Sequence, residues 1–282
     1  PCWRRKPPVA TLNIALIQTR TPADPAQAFD HVHPLIAQAA RDGAQLILLP
    51  ECANLMEARK AQKALIVTSE DQDVFVQSIR ELAAELQVSI LIGSAIVQAD
   101  GDGLAANRTL LVDDGGQITA RYDKVHLFDA DTPDGKSYRE SDSVQPGERA
   151  VVAETPFGRL GLSICYDVRF AYLYRALAKA GAQMIAVPAA FTVPTGRAHW
   201  EVLLRTRAIE TGCFVLAPAQ VGPHEDGRTT YGHSMVVSPW GEVIGRLDHD
   251  RPGILEVTID LDEVAVARQA LPQLKHDREL GA

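Results

Sequence analysis

The sequence predicts an α/β layered fold, on three observations. Short apolar, β-branched runs alternate with longer stretches whose apolar residues recur every three or four positions. Several short runs, Leu46-Ile47-Leu48-Leu49 and Ile90-Leu91-Ile92 among them, are apolar at every position, as strands covered on both faces require. Ser234-Met235-Val236-Val237 leads instead into Pro239-Trp240-Gly241, a turn between hairpin-like strands, so a mixed sheet or two packed sheets are expected.

Strands are expected over residues 12–18, 46–49, 89–93, 108–112, 158–164, 184–187, 214–217, 234–237 and 254–259. Helices follow from the longer period. Val74, Phe75, Ile79, Leu82, Ala83 and Leu86 predict a helix over 71–87, with Ser69 and Gln72 at capping-box spacing before it. Phe29, Val32, Ile36, Ala39 and Ala40 form a second stripe before Gly43, in which Pro34 should kink the helix or confine it to the residues that follow. Phe170, Leu173, Leu177 and Ala180 make a third, stopped by Gly181, and residues 199–211 a fourth, ended by Gly212. No linker or repeat divides the chain, so one domain over 1–282 is expected, with a disordered start over about 1–10 and a polar tail from about 272.

Composition removes whole classes. Hydrophobic residues at 46% and charged ones at 23% suit a compact globular chain and exclude disordered or collagenous readings. The net charge is −8 and the sole basic cluster is Arg4, Arg5 and Lys6, so no nucleic-acid partner is expected. The chain has no apolar run long enough to cross a membrane, which excludes a membrane partner, and the stretch after Lys6 does not read as a signal peptide. Four cysteines (Cys2, Cys52, Cys165, Cys213) are too few for a disulfide scaffold and lack metal-ligand spacing, which fits a reducing, cytoplasmic setting. Gly101 to Ala106 has the spacing of a dinucleotide turn but leads into a strand-like run, and His31 and His33 do not share a helix face. Neither a metal nor a cofactor is therefore expected.

Three segments can carry chemistry. In Gly161-Leu162-Ser163-Ile164-Cys165-Tyr166-Asp167-Val168-Arg169-Phe170 an apolar strand ends at a cysteine and a helix starts within a few residues, the geometry of a nucleophile elbow. Exposed N–H groups and the positive end of the helix dipole would favour a thiolate there. A thiol nucleophile needs a base, and Leu49-Pro50-Glu51 sets a carboxylate at a strand end, where sites of α/β sheets collect. Tyr122-Asp123-Lys124-Val125-His126 places a lysine just past a short strand. Taken singly, each also reads as a core thiol or a solvated charge.

Together, Leu-Pro-Glu at 49–51, Tyr-Asp-Lys-x-His at 122–126 and Cys-Tyr-Asp-x-Arg-Phe at 165–170 resemble, in order, the three catalytic motifs of the nitrilase superfamily of carbon–nitrogen hydrolases. The resemblance extends from about Leu12 to the tail. It implies an α-β-β-α sandwich, a Glu51–Lys124–Cys165 triad, a second glutamate at Glu140, and a homodimer acting on a small-molecule amide. His126-Leu127-Phe128-Asp129, Tyr138-Arg139-Glu140-Ser141, Ala190 to Gly196, His199-Trp200-Glu201 and Tyr231-Gly232-His233-Ser234 resemble the deaminated-glutathione amidase branch, with ω-amidase, acting on 2-oxoglutaramate, or another small-amide or carbamoyl hydrolase or nitrilase of the superfamily as the alternative. Tyr166, through its N–H, is expected to join Lys124 at the developing oxyanion. Arg169, Phe191 and Thr195 are expected to bind substrate, with Tyr122 and Trp200 as further wall candidates; an ion pair of Arg169 with Asp167 or Glu201 is the competing reading. Cys52 and Cys213 are expected in the core.

Overall fold

A computed structural model of the chain describes residues 11–99, 103–132 and 134–278. The expected disorder over 1–10, Cys2 and part of the Gly101 to Ala106 turn lie outside the described residues. In chain order the first half runs β1 (Thr11–Gln18), α1 (Pro25–Arg41), β2 (Leu46–Leu48), α2 (Lys60–Ile66), α3 (Val74–Leu86), β3 (Ser89–Gln98), β4 (Ala105–Val112), β5 (Ile118–Asp123), β6 (Asp129–Asp131) and β7 (Ser137–Arg139). The second half runs β8 (Val151–Thr155), β9 (Gly158–Leu162), α4 (Ala171–Lys179), β10 (Met184–Ala186), α5 (Val193–Thr211), β11 (Phe214–Ala217), β12 (Val221–Pro223), β13 (Thr229–Tyr231), β14 (Met235–Val237), β15 (Val243–Arg246), β16 (Gly253–Asp260) and α6 (Asp262–Ala270).

Two six-stranded sheets carry the fold, ordered β16-β1-β2-β3-β4-β5 and β15-β14-β11-β10-β9-β8. Each has a parallel centre and antiparallel edges. Side-chain alternation explains why the strands are apolar throughout. Leu12, Ile14 and Leu16 of β1 face the core shared with the second sheet, while Ala15 and Ile17 face the helices α1 and α3. Helices α4 and α5 cover the second sheet through Leu173, Leu177, Trp200 and Leu204, which completes the expected α-β-β-α sandwich. β16 returns from the second half to pair antiparallel with all of β1, tying the two halves together.

The elements depart from expectation where a local signal was outweighed. α1 runs without a break through Pro34. Asp24 caps it by accepting from the Gln27 N–H, Pro25 sits in its first turn, and burial of Ala28, Val32, Ile36 and Ala39 holds the proline in place. α3 starts at Val74 under an Asp73 cap that accepts from Val76, so Ser69 is not its cap. α5 begins at Val193, well before His199, because Pro194 is tolerated in a first turn. β5 is the short strand expected before Lys124, whereas strands β8 and β15 and helix α6 were not expected, since half-exposed elements alternate with polar residues and give a weak apolar signal.

One glycine fixes how closely the two strand ends approach at the site. A Cβ on Gly93 of β3 would lie 1.9 Å from the Leu49 carbonyl oxygen and 2.5 Å from Pro188 Cβ. Gly93→Ala should therefore destabilise the protein by about 3 kcal/mol, as overpacking against backbone does, in urea unfolding; a melt like the wild type's would mean that the Leu49-Pro50-Glu51 segment moves freely.

Candidate active site

β2 stops at Leu48, and Pro50 turns the chain so that Glu51 is buried at the sheet's end. Cys52 follows in the left-handed region at φ 55°, where its N–H donates to Ser94 Oγ at 2.8 Å. Lys124 leaves β5 with its N–H bonded to the Asn107 carbonyl and its side chain only 2% exposed. Its ammonium donates to Glu51 Oε1 at 2.8 Å and to Glu140 Oε2 at 2.9 Å. Two carboxylates around one cation leave an excess of negative charge, which neutral donors absorb. Asn107 Nδ2 bonds both Glu51 Oε1 (3.1 Å) and Glu140 Oε1 (3.0 Å). The Ala190 N–H reaches Glu51 Oε2 at 2.9 Å, and the Phe128 N–H reaches Glu140 Oε2 at 2.7 Å.

Burial by itself would lower the Lys124 pKa, but Glu140 and Glu51 hold it well above the ordinary value. Burial likewise pushes Glu140 up, and Lys124 with the Phe128 and Asn107 donors brings it below the usual carboxylate range.

Cys165 opens a 3-10 turn, Cys165–Arg169, with φ at 48°, a conformation that a non-glycine residue adopts only where its surroundings enforce it. Asp167 is the enforcing group. Fully buried, it accepts from the Ile164 N–H at 2.9 Å, Tyr122 Oη at 2.7 Å and the His126 N–H at 3.0 Å, and pairs with His126 Nδ1 at 2.6 Å. The cysteine turn is thus clamped to the segment that carries Lys124. The expected thiolate is disfavoured: burial, then the adjacent Glu51 carboxylate, raise the Cys165 pKa well above the ordinary thiol value, and Lys124 offsets this only in part. A dipole argument fails here because the turn is short and a carboxylate stands beside the sulfur.

These groups line one cavity of about 220 Å³, and Tyr166, Arg169, Phe191 and Thr195 line it as expected. Tyr122 and Trp200 do not; Tyr122 is spent on Asp167, and Trp200 backs Phe191 at 4.8 Å while donating to the His233 carbonyl. Arg169 makes neither of the expected ion pairs. Asp167 is occupied as above, and Glu201 pairs with Arg205 and Arg246. Its guanidinium lies 5.4 Å from the Phe191 ring centre and 5.8 Å from that of Tyr166, with His199 Nδ1 at 3.3 Å. Cys213 is in the core, whereas Cys52 is buried yet lines the cavity, its pKa pushed up to about 12 by burial and Glu51.

Sequence reasoning passed over Asn107, Lys63 and Arg228. A single polar residue in a strand or loop carries no periodic signal, and Asn107 stands in β4 beside two other polar residues, Arg108 and Thr109. The lining carries five cationic side chains (Lys63, Lys124, Arg139, Arg169, Arg228) against three carboxylates (Glu51, Glu57, Glu140). That excess is notable in a chain of net charge −8. Among the described residues there is no group of three or more His, Cys, Asp or Glu side chains placed to hold a metal ion.

Comparison with known proteins agrees with this geometry. The family model described as carbon-nitrogen hydrolase matches residues 13–269, and the chain belongs to that family. It is 42% identical over 269 residues to the deaminated glutathione amidase of Yersinia enterocolitica, covering 94% of this chain and 93% of that one. It is 38% identical to the human deaminated glutathione amidase, covering 94% and 82%. Among solved structures it superposes on the Caenorhabditis elegans NitFhit protein with a TM-score of 0.87 at 37% identity, covering 95% of this chain and 65% of that one. It also superposes, with a TM-score of 0.76 at 30% identity, on a mutant amidase from Nesterenkonia sp. AN1 in which acrylamide has added to the active site cysteine, covering 93% and 98%.

The charge cluster predicts an inversion of pH dependence. In the wild type the depressed Glu140 contributes stability above the ordinary carboxylate range that is lost as pH falls through its lowered pKa. In Lys124→Met the same buried carboxyl loses its cation, its pKa rises above the unfolded value, and stability instead grows as pH falls. Urea unfolding should show the variant less stable than wild type by roughly 3 kcal/mol at pH 7 and partly recovered at pH 5. A deficit that is constant or deeper at pH 5 contradicts this account of the cluster.

Proposed function

We propose that this chain, as a single domain, hydrolyses a linear amide through a thioester on Cys165, with deaminated glutathione as the substrate. The observation that carries the reading is the Lys124 ammonium held between Glu51 and Glu140 at the edge of the cavity that Cys165 lines. The substrate rests on the names of relatives at 37–42% identity and on the cationic excess of the lining, which suits a carboxylate-bearing amide.

The chemistry follows from the protonated thiol. As Sγ of Cys165 attacks the carbonyl carbon, Glu51 takes the thiol proton, so no free thiolate forms beside the carboxylate. The carbonyl oxygen becomes an oxyanion held by Lys124 Nζ and the Tyr166 N–H. Glu51 then gives its proton to the amide nitrogen, the C–N bond breaks and the amine, cysteinylglycine, departs. Water attacks the thioester with Glu51 again as base; the C–S bond breaks, 2-oxoglutarate leaves and the proton returns to Sγ. Glu140 and Asn107 act as positioning residues, holding Lys124 and Glu51 in register. Arg169, Phe191 and Thr195 contact the non-reacting parts of the substrate.

The assembly that goes with this reading is a cytoplasmic homodimer. Supporting it, α4, α5, α6 and the segments beside them leave Tyr172 (67%), Val202 (66%), Trp240 (57%) and Val266 (66%) exposed, and the three described cysteines are free thiols. Sedimentation equilibrium should return twice the chain mass of 30.6 kDa; a monomer at micromolar concentration removes the dimer.

Product formation from deaminated glutathione and from 2-oxoglutaramate, measured on purified protein beside Cys165→Ala, tests the function. Deaminated glutathione should be preferred, and the variant should stay folded while losing at least about 10⁴-fold in kcat. Preference for 2-oxoglutaramate would move the substrate to that of ω-amidase, and an active Cys165→Ala would end the thioester mechanism.

A further inference from the structure

The short helix α2 presents an unusual inward face. Of its residues only Lys63 and Ile66, one turn apart, are half-buried; the others are exposed, Leu65 at 88%. Ile66 packs on the small apolar cluster around Cys52, Leu55 and Met56, as the covered side of an amphipathic helix should. Lys63 lines the cavity instead, its ammonium donating to Ser143 Oγ at 3.1 Å and forming no ion pair among the described residues. Arg228, from the β12–β13 connection, lines the same cavity and touches Met56 Sδ through Nη2. Its Nε and Nη2 are held by the buried Asp226 carboxylate at 2.7 and 2.6 Å, while Nη1 has no partner among the described residues. Arg228 is thus aimed by Asp226 with one nitrogen left to donate, and Lys63 forms no ion pair among the described residues.

A half-buried ammonium without an anion is costly, and here burial lowers the Lys63 pKa. An anionic ligand would remove that cost. The contacts of Lys63 and Arg228 are part-buried, whereas that of Arg169 with His199 is exposed. In the thioester cycle the acyl part stays bound while the amine leaves toward solvent, which favours assigning the more deeply placed pair to the part that stays.

We propose that Lys63 and Arg228 are the residues that hold the carboxylate on the acyl part of the substrate, and that they set the preference for such an amide over a neutral one. This rests on the amide-hydrolase reading above. Lys63 supplies a point charge and Arg228 a directed N–H, so a two-oxygen anion bridges them. Neither residue touches the reacting atoms; they set which amide is held in place.

The test compares kcat/KM for glutaramate and for pentanamide, which has a methyl group in place of the carboxylate. Wild type should favour glutaramate, and Lys63→Met and Arg228→Met should each shrink that preference by about tenfold or more, with Lys63→Arg retaining most of it. A preference absent in the wild type, or equal in wild type and Lys63→Met, overturns the proposal. Should the wild type hydrolyse neither amide, the fault lies with the amidase reading, and glutarate binding by calorimetry decides the subsite alone. There, a tenfold weaker Kd in Lys63→Met supports it, and equal affinities for the two proteins overturn it.

Discussion

A buried ammonium that must not be left unpaired governs the arrangement of this protein's site. Lys124 is almost entirely buried, so its charge is tolerable only with carboxylates in contact, and Glu51 and Glu140 supply them. Those two anions then need donors of their own. Asn107 on β4, the Phe128 N–H and the Ala190 N–H provide these, and they come from separate parts of the chain. Glu51 ends a strand of the first sheet, and Ala190 follows a strand of the second. The cluster is therefore complete only when both sheets are packed, which couples the site to the fold.

Asp167 does for the sulfur what the carboxylates do for the lysine. By accepting from Ile164, Tyr122 and His126 it ties the cysteine turn to the lysine segment, and it holds Cys165 in a backbone conformation it would otherwise leave. The packing beneath is equally constrained: Gly93 has no room for a side chain against Leu49 and Pro188. Distances of 2.8–2.9 Å at Lys124 are thus set by backbone contacts in two sheets and one buried acid.

Much of this was legible in the sequence for a physical reason. Strands covered on both faces must be largely apolar, so β1, β2, β3 and β11 declare themselves, and Glu51 and Cys165 stand just past such runs. Edge strands such as β8 and β15 alternate with polar residues and do not. Asn107, Lys63 and Arg228 were illegible because their meaning depends on what lies opposite them across the cavity, which spacing along the chain does not encode. The thiolate expectation failed for the same reason: it weighed a local dipole and missed a carboxylate that is distant in sequence and adjacent in space.

The protonated thiol explains why two carboxylates and a lysine are arranged around one sulfur. With Glu51 and Glu140 ionised and Lys124 charged, the resting cluster carries one net negative charge, and a thiolate added to it would carry two. In the proposed cycle that never happens. When Glu51 takes the thiol proton, the negative charge moves to the carbonyl oxygen beside Lys124; when Glu51 gives the proton up, the charge returns to the carboxylate. The cluster holds one negative charge throughout and merely shifts it over a few ångströms between groups already in place, so little reorganisation is required at the transition state. In the proposed reading the cationic lining has a separate task, to bring an anionic amide to a centre that is itself negative, which accounts for cations in the cavity beyond Lys124.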